Sequence, residues 1–416
     1  MMAKPKWTVL VYMAADTSAS FYQDAMADVS EMMEAQFSND VKVIVHADAP
    51  SPWKQRCWTV AGGGEITPRL SADGSEGCGH EGLLDFVKQS FKENDSDHYL
   101  LVLWGHGEGI DWKQKVIGPN VQTAVVNKRF APGSQNAVEV GDLGDALTGL
   151  ELKNAYGEKL NRDDVVVGFD ACLMGMVEVY NEIQKHVRWG FATSDEIPVA
   201  GWPYKEILNL LGKNPKIEPR SLAEKLVETC STWYSDNSPD TKIGFATCDL
   251  SDSGSVLDNM KKLTIELRKH IRDSKIWRAV RDARDFAEDL EEVAYVDLHA
   301  FCSELTRQIG PLGYAAALED AAKTLNSTLD EFVVKHDFSN CYPGVYVKDS
   351  RSLSICFPQS AELVGSIPDL VVNWGSYRNL EFSKTTNWPC FLEQFWDVQR
   401  STDRRKPSVL AKAAGS

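Results

Sequence analysis

The sequence predicts an α/β fold built on a mostly parallel sheet covered on both faces, and three observations carry the prediction. Apolar runs of strand length alternate with segments of helical spacing through the first 250 residues. The runs WTVLVYMA (7–14), VKVIVHA (41–47), HYLLVLW (98–104) and DVVVGF (164–169) are almost continuously apolar, as strands buried on both sides are. Finally, 43% hydrophobic against 25% charged residues is the mixture of an ordinary globular chain with material for a sizeable core.

The elements follow in order. Trp7–Ala14 is the first buried strand, Phe21–Met33 a helix, and Val41–Ala47 the second strand. Gly62-Gly63-Gly64 and Pro68–Gly79 read as turns and loop. Glu81–Phe91 has amphipathic spacing; His98–Trp104 and Asp164–Phe169 are strands, and Leu173–Ile183 is helical after the second of them. Trp189–Thr193 and Ile243–Cys248 are later strands. Residues 113–137 are polar, hold Gly118-Pro119 and Pro132-Gly133, and read as a long functional or mobile loop. Near residue 250 the texture changes to charged amphipathic helices at Ser255–Arg272, Ile276–Val293 and Val296–Ile309. Strand character returns at Gly344–Lys348 and Leu353–Phe357, and a helix at Trp388–Trp396. The expected organisation is a catalytic-type α/β unit over 1–249, a helix-rich extension over 250–400, and a polar, disordered tail over 401–416.

Charge and cysteine usage narrow the function. Sixty acidic against 44 basic side chains give a net charge of −16. That argues against nucleic acid or an anionic membrane as main partner and leaves cationic ones open, such as basic peptides or Ca²⁺. No apolar run approaches a membrane span. Nine scattered cysteines do not make a disulfide framework and point to a reducing, cytoplasmic setting. Lys4 and Lys6 before a short apolar run are too little for a signal peptide, so a secreted or periplasmic setting requires a signal already removed. Cys78-Gly79-His80 with Cys57 lacks the paired spacing of a metal site.

Open α/β sheets place their sites beyond the carboxyl ends of the strands. One such end delivers Gly105-His106-Gly107, another Asp170-Ala171-Cys172. If the two strands are parallel neighbours, His106 and Cys172 face each other across the sheet edge. Cysteine chemistry needs thiolate, and a free thiol is mostly protonated near neutral pH. A helix starting at Leu173 would favour the anion, and His106 would accept the proton and later give it to a leaving amine. The backbone N–H groups of Gly107 and Cys172 would make an oxyanion hole. The residues alone leave a second reading open: a small buried thiol and a loop histidine. G-x-S-x-G, phosphate-loop and H-E-x-x-H motifs are absent.

At these residues the chain resembles the clostripain-like cysteine peptidases, within the caspase-like folds. The carriers are HYLLVLWGHG (98–107) and GFDACLMGMVEV (168–179). They are supported by WTVLVYMAAD (7–16), ATSDEIPVAGWPY (192–204), YVDLHAF (295–301), LSICFP (353–358) and YRNLEFSKTTNW (377–388). The resemblance implies a caspase-like three-layer sandwich with a C-terminal α/β extension. It also implies a His106–Cys172 dyad and an endopeptidase cutting proteins or peptides after Arg or Lys. Asp170, two residues before the nucleophile, would lie in the pocket for that basic side chain, with Ser194 and Trp202 beside it; the other reading of Asp170 is a helix cap. The chemistry requires no cofactor, although the resemblance allows Ca²⁺. Two departures stand out. Pro198-Val199-Ala200-Gly201-Trp202 replaces the family's Pro-Gly-Asp-Gly-Trp, so a second pocket acid is missing, and Asp16-Thr17-Ser18 replaces an Asp-Asn-Asn type of segment. These keep an alternative in view: a catalytically silent caspase-like binding or regulatory module.

Overall fold

The computed structural model describes residues 4–51, 53, 55–69, 79–107, 109, 160–287, 294–339, 349–363 and 374–403. Cys78, the 113–137 loop, the 344–348 strand and everything past Asp403 lie outside the described residues.

Eleven strands are described: β1 Trp7–Met13, β2 Val41–Ala47, β3 Arg56–Ala61, β4 Glu65–Pro68, β5 His98–Trp104, β6 Val165–Asp170, β7 Trp189–Thr193, β8 Gly244–Asp249, β9 Tyr295–Asp297, β10 Val333–Phe338 and β11 Ser354–Cys356. Nine of them form one sheet in the order β10-β8-β7-β6-β5-β1-β2-β3-β4. The five central strands, β7 to β2, run parallel, and antiparallel strands flank them on both sides. The parallel strands are the apolar runs of the sequence, since each is covered above and below. Strands β3 and β4, at one end of the sheet, escape a search for apolar runs because they are half exposed; the expected Gly62–Gly64 turn joins them.

Side chains alternate between the two faces with period two. On β5, Leu100, Val102 and Trp104 join one apolar cluster, while Tyr99, Leu101 and Leu103 join the other. The first cluster is covered by α1 Ala19–Glu34, with Tyr22, Ala25, Val29 and Met32 turned inward at helical spacing. Beyond β7 come α4 Tyr204–Lys213 and α5 Pro219–Asn237, which cover the same face. The reading by apolar runs passes over both, although Pro219 at the first helical turn is a start signal for α5.

The opposite face carries α2 Gly79–Glu93, α3 Val177–Ile183 and a C-terminal layer. That layer comprises α6 Ser253–His270, α7 Ser274–Phe286, α8 Leu298–Ile309, α9 Ala316–Phe332, α10 Trp374–Tyr377, α11 Glu381–Thr386 and α12 Trp388–Asp403. The change of texture near 250 is a change of layer within one core. β10 pairs with β8 in the main sheet, and one buried cluster runs from Leu10 to Trp396. Three local expectations are corrected. Tyr295–Asp297 is a strand paired with β11 before the helix begins at Leu298, because Asp297 caps that helix through the Ala300 N–H. α12 runs past the expected end at Trp396 to Asp403. The third concerns the segment after Cys172.

Candidate active site

The β5–β6 ladder pairs Tyr99 with Val165 through Trp104 with Asp170, in parallel register. It continues past the last pair: the Gly105 N–H donates to the Asp170 carbonyl at 3.1 Å. Carried two steps further, the same register would bring His106 level with Cys172. Gly107 then lies directly on the Cys172 backbone. A Cβ at 107 would stand 2.1 Å from the Cys172 carbonyl oxygen and 2.9 Å from its nitrogen, so only glycine permits this approach.

The imidazole of His106 is exposed and stacks on Phe21 of α1, with ring centroids 3.9 Å apart and planes 7° from parallel. Phe21 packs on Trp104 at 4.6 Å, and the Trp104 indole N–H donates to Asp28 Oδ2 at 2.6 Å.

Cys172 is partly buried. Its Sγ accepts the Ile197 N–H at 3.3 Å. Burial pushes the thiol up to about 11, against the pull of that N–H and with the nearby charges of Glu196 and Asp170 adding to the rise. The helix expected from Leu173 starts only at Val177. Leu173 is left-handed at φ 61°, its N–H is committed to Asp195 O at 2.9 Å, and Gly175 N–H to Thr193 O at 2.7 Å. The chain therefore turns for several residues before coiling, and no helix N-terminus reaches the sulfur. The dipole expected to lower the thiol is replaced by an environment that raises it.

The turn is fastened from the C-terminal layer. The Ser354 N–H of β11 donates to the Gly175 carbonyl at 2.8 Å, and the Cys356 N–H to buried Glu178 at 2.9 Å. Trp388 Nε1 donates to the Cys356 carbonyl at 2.8 Å. Three of the segments that carry the resemblance thus meet behind Cys172.

Asp170 is 3% exposed at the end of β6. It caps no helix. Its Oδ2 accepts from the Tyr204 hydroxyl at 2.8 Å and the Trp202 N–H at 3.2 Å. The Pro198–Gly201 turn leans on it: Gly201, at φ +57°, has no room for a Cβ beyond 3.0 Å from that oxygen. Ala200 is exposed in the same turn. Burial raises Asp170 above the usual carboxylate range against these hydrogen bonds, while burial and the charge of Asp170 raise Asp28. Trp202 is fully buried, with its ring over Gly168 and against Phe191 at 4.7 Å, so it meets Asp170 by its backbone only. Ser194 is 2% exposed and its hydroxyl lies 3.1 Å from that of Ser352. Sequence reasoning missed Ile197, Tyr204, Asp28 and Phe21. Ile197 and Tyr204 lie within a segment that carried the resemblance, 192–204; Asp28 and Phe21 carry no motif.

Among the described residues no group of three or more His, Cys, Asp or Glu side chains is arranged to hold a metal ion. No described helix is long and apolar enough to cross a membrane.

The solved structures that resemble this fold include three crystal structures. A secreted cysteine protease from Bacteroides thetaiotaomicron, bound to an irreversible peptide inhibitor, superimposes with TM-score 0.61 at 17% identity, covering 92% of this chain and 99% of that one. An inactive zymogen protease from Parabacteroides distasonis gives 0.57 at 17% identity, over 93% and 99%. A second structure of a secreted Bacteroides thetaiotaomicron cysteine protease, iotapain, gives 0.58 at 15% identity, over 92% and 99%. At such identities the likeness speaks for the fold, which is caspase-like. No curated protein sequence matches the chain. The clostripain family model, however, matches residues 11–396. That span takes in both strand-end motifs and the C-terminal layer that fastens them, and the chain belongs to the clostripain family of cysteine peptidases.

Proposed function

We propose that the protein is an endopeptidase that cuts after Arg or Lys through a dyad of Cys172 and His106. The observation that carries this reading is the β5–β6 register, continued past both strands until Gly107 rests on the Cys172 backbone. In the proposed reaction Cys172 Sγ attacks the peptide carbonyl carbon. Because the thiol sits at about 11 in the free protein, His106 takes its proton as the attack proceeds, and no standing thiolate is needed. The oxyanion accepts hydrogen bonds from the N–H groups of Gly107 and Cys172. His106 then protonates the leaving amine, and water, deprotonated by the same imidazole, releases the acyl group.

Asp170 supports the basic preference. It is a buried carboxyl, two residues from the nucleophile, under an exposed turn that carries no acid of its own. A guanidinium can pair with it in bidentate fashion.

The test is turnover on matched peptides that differ only before the scissile bond, together with labelling by a peptidyl electrophile. Cys172→Ala should abolish turnover and labelling with the fold intact, and His106→Ala should lower kcat by at least ~100-fold. Wild-type turnover in Cys172→Ala would refute the nucleophile. Failure of the wild type to label or turn over would return the chain to the silent binding module.

A further inference from the structure

His106 lies just beyond the end of β5, and its ring is exposed. One face of that ring is covered by the face of Phe21 at 3.9 Å, nearly parallel. Phe21 is itself held. It sits in the first turn of α1, with its N–H donated to the Ser18 hydroxyl at 3.1 Å. Its ring lies on Trp104, whose indole is tied to Asp28. A column therefore runs from the exposed imidazole into the core: His106, Phe21, Trp104, Asp28. Phe21 is half-buried at the start of the inward face of α1, ahead of Tyr22, Ala25, Asp28, Val29 and Met32, and packs against the core from its edge.

We propose that Phe21 is a positioning residue for the peptidase reaction: its ring fixes the plane of the His106 imidazole and favours the imidazolium formed when the Cys172 proton is taken. This rests on the reading of His106 as the proton carrier. Two physical effects act together. A rigid platform removes unproductive ring orientations, which a proton transfer between fixed partners is sensitive to. The negative face of an aromatic ring attracts a cation stacked on it, so the imidazolium gains relative to the neutral ring. The second effect has a definite sign. Removing the ring lowers the pKa of His106, and the acid limb of kcat/KM moves to lower pH even as kcat falls.

The experiment compares Phe21→Leu, which keeps apolar bulk and loses the ring, with Phe21→Tyr, which keeps the ring, and with His106→Ala as reference. On a peptide with a neutral residue before the scissile bond, where the charge of Asp170 does not enter, Phe21→Leu should lower kcat about 10-fold with KM changed less than about twofold, and shift the acid limb down by about half a pH unit. Phe21→Tyr should restore both values. If His106→Ala is inactive while Phe21→Leu keeps the wild-type kcat and acid limb, the inference is wrong and the dyad stands. If Phe21→Leu loses kcat with a lowered melting temperature and an unmoved limb, or Phe21→Tyr fails to restore it, Phe21 is only structural and the inference is again wrong. Wild-type turnover in His106→Ala would remove the dyad and this inference with it.

Discussion

At the scale of single residues, Asp170 combines a buried position with the charge that a basic substrate needs. Burial holds its carboxyl above the ordinary range near pH 4, so in the free protein the anion forms only as pH rises above that range. Because kcat/KM reports the free enzyme, the ratio of kcat/KM for an Arg peptide over a matched neutral peptide should climb between about pH 5 and 8. Asp170→Asn should flatten that climb and cost the Arg peptide ~30-fold or more, with little loss on the neutral one. A ratio independent of pH in the wild type would remove Asp170 from the pocket. The identity of this residue was legible as a motif position, two before Cys172. Of its partners Trp202 was legible through the resemblance; Tyr204 and Asp28 were not, because they come to it from two helices on one face of the sheet, and no local pattern encodes which face β6 turns its last side chain towards.

At the scale of elements, the parallel strands were readable because burial on both faces makes them continuously apolar, and β2, β5 and β7 have the bounds their runs suggest. The turn after β6 was not readable. Leu173 is a helix former, yet it is held left-handed by hydrogen bonds to the segment after β7, so tertiary pairing overrides propensity there. The consequence is chemical, since it removes a helix dipole from the thiol and leaves the close backbone approach at Gly107 as the local device. Gly107→Ala tests that device. Its new methyl would meet main-chain atoms of Cys172, which cannot swing aside as a side chain can. Activity should fall ~100- to 1000-fold, the size of losing one oxyanion donor, while circular dichroism stays native. Near wild-type kcat in this variant would mean that the two backbones do not touch in the working enzyme.

At the scale of the whole molecule, a sheet with five parallel strands at its centre gathers its loops at one edge, and the C-terminal layer is what makes that edge rigid behind Cys172. The whole chain carries a net charge of −16. Acidity of this size contributes little to choosing the fold, but it acts on encounter: a cationic peptide is drawn towards the surface over distances set by ionic strength. The screening length falls from roughly 30 Å at 0.01 M salt to roughly 3 Å at 1 M, so steering is nearly complete in the first case and nearly absent in the second. For a peptide carrying two or three basic residues, kcat/KM should therefore fall ~3- to 10-fold between about 0.02 and 0.5 M NaCl, through KM, while kcat holds. A neutral peptide cut at the same bond should change by less than about twofold over the same range. The pairing of the two substrates separates causes: equal losses on both would mean that salt acts on the catalytic edge itself, and a flat response on the basic peptide would confine recognition of charge to the buried carboxyl of Asp170.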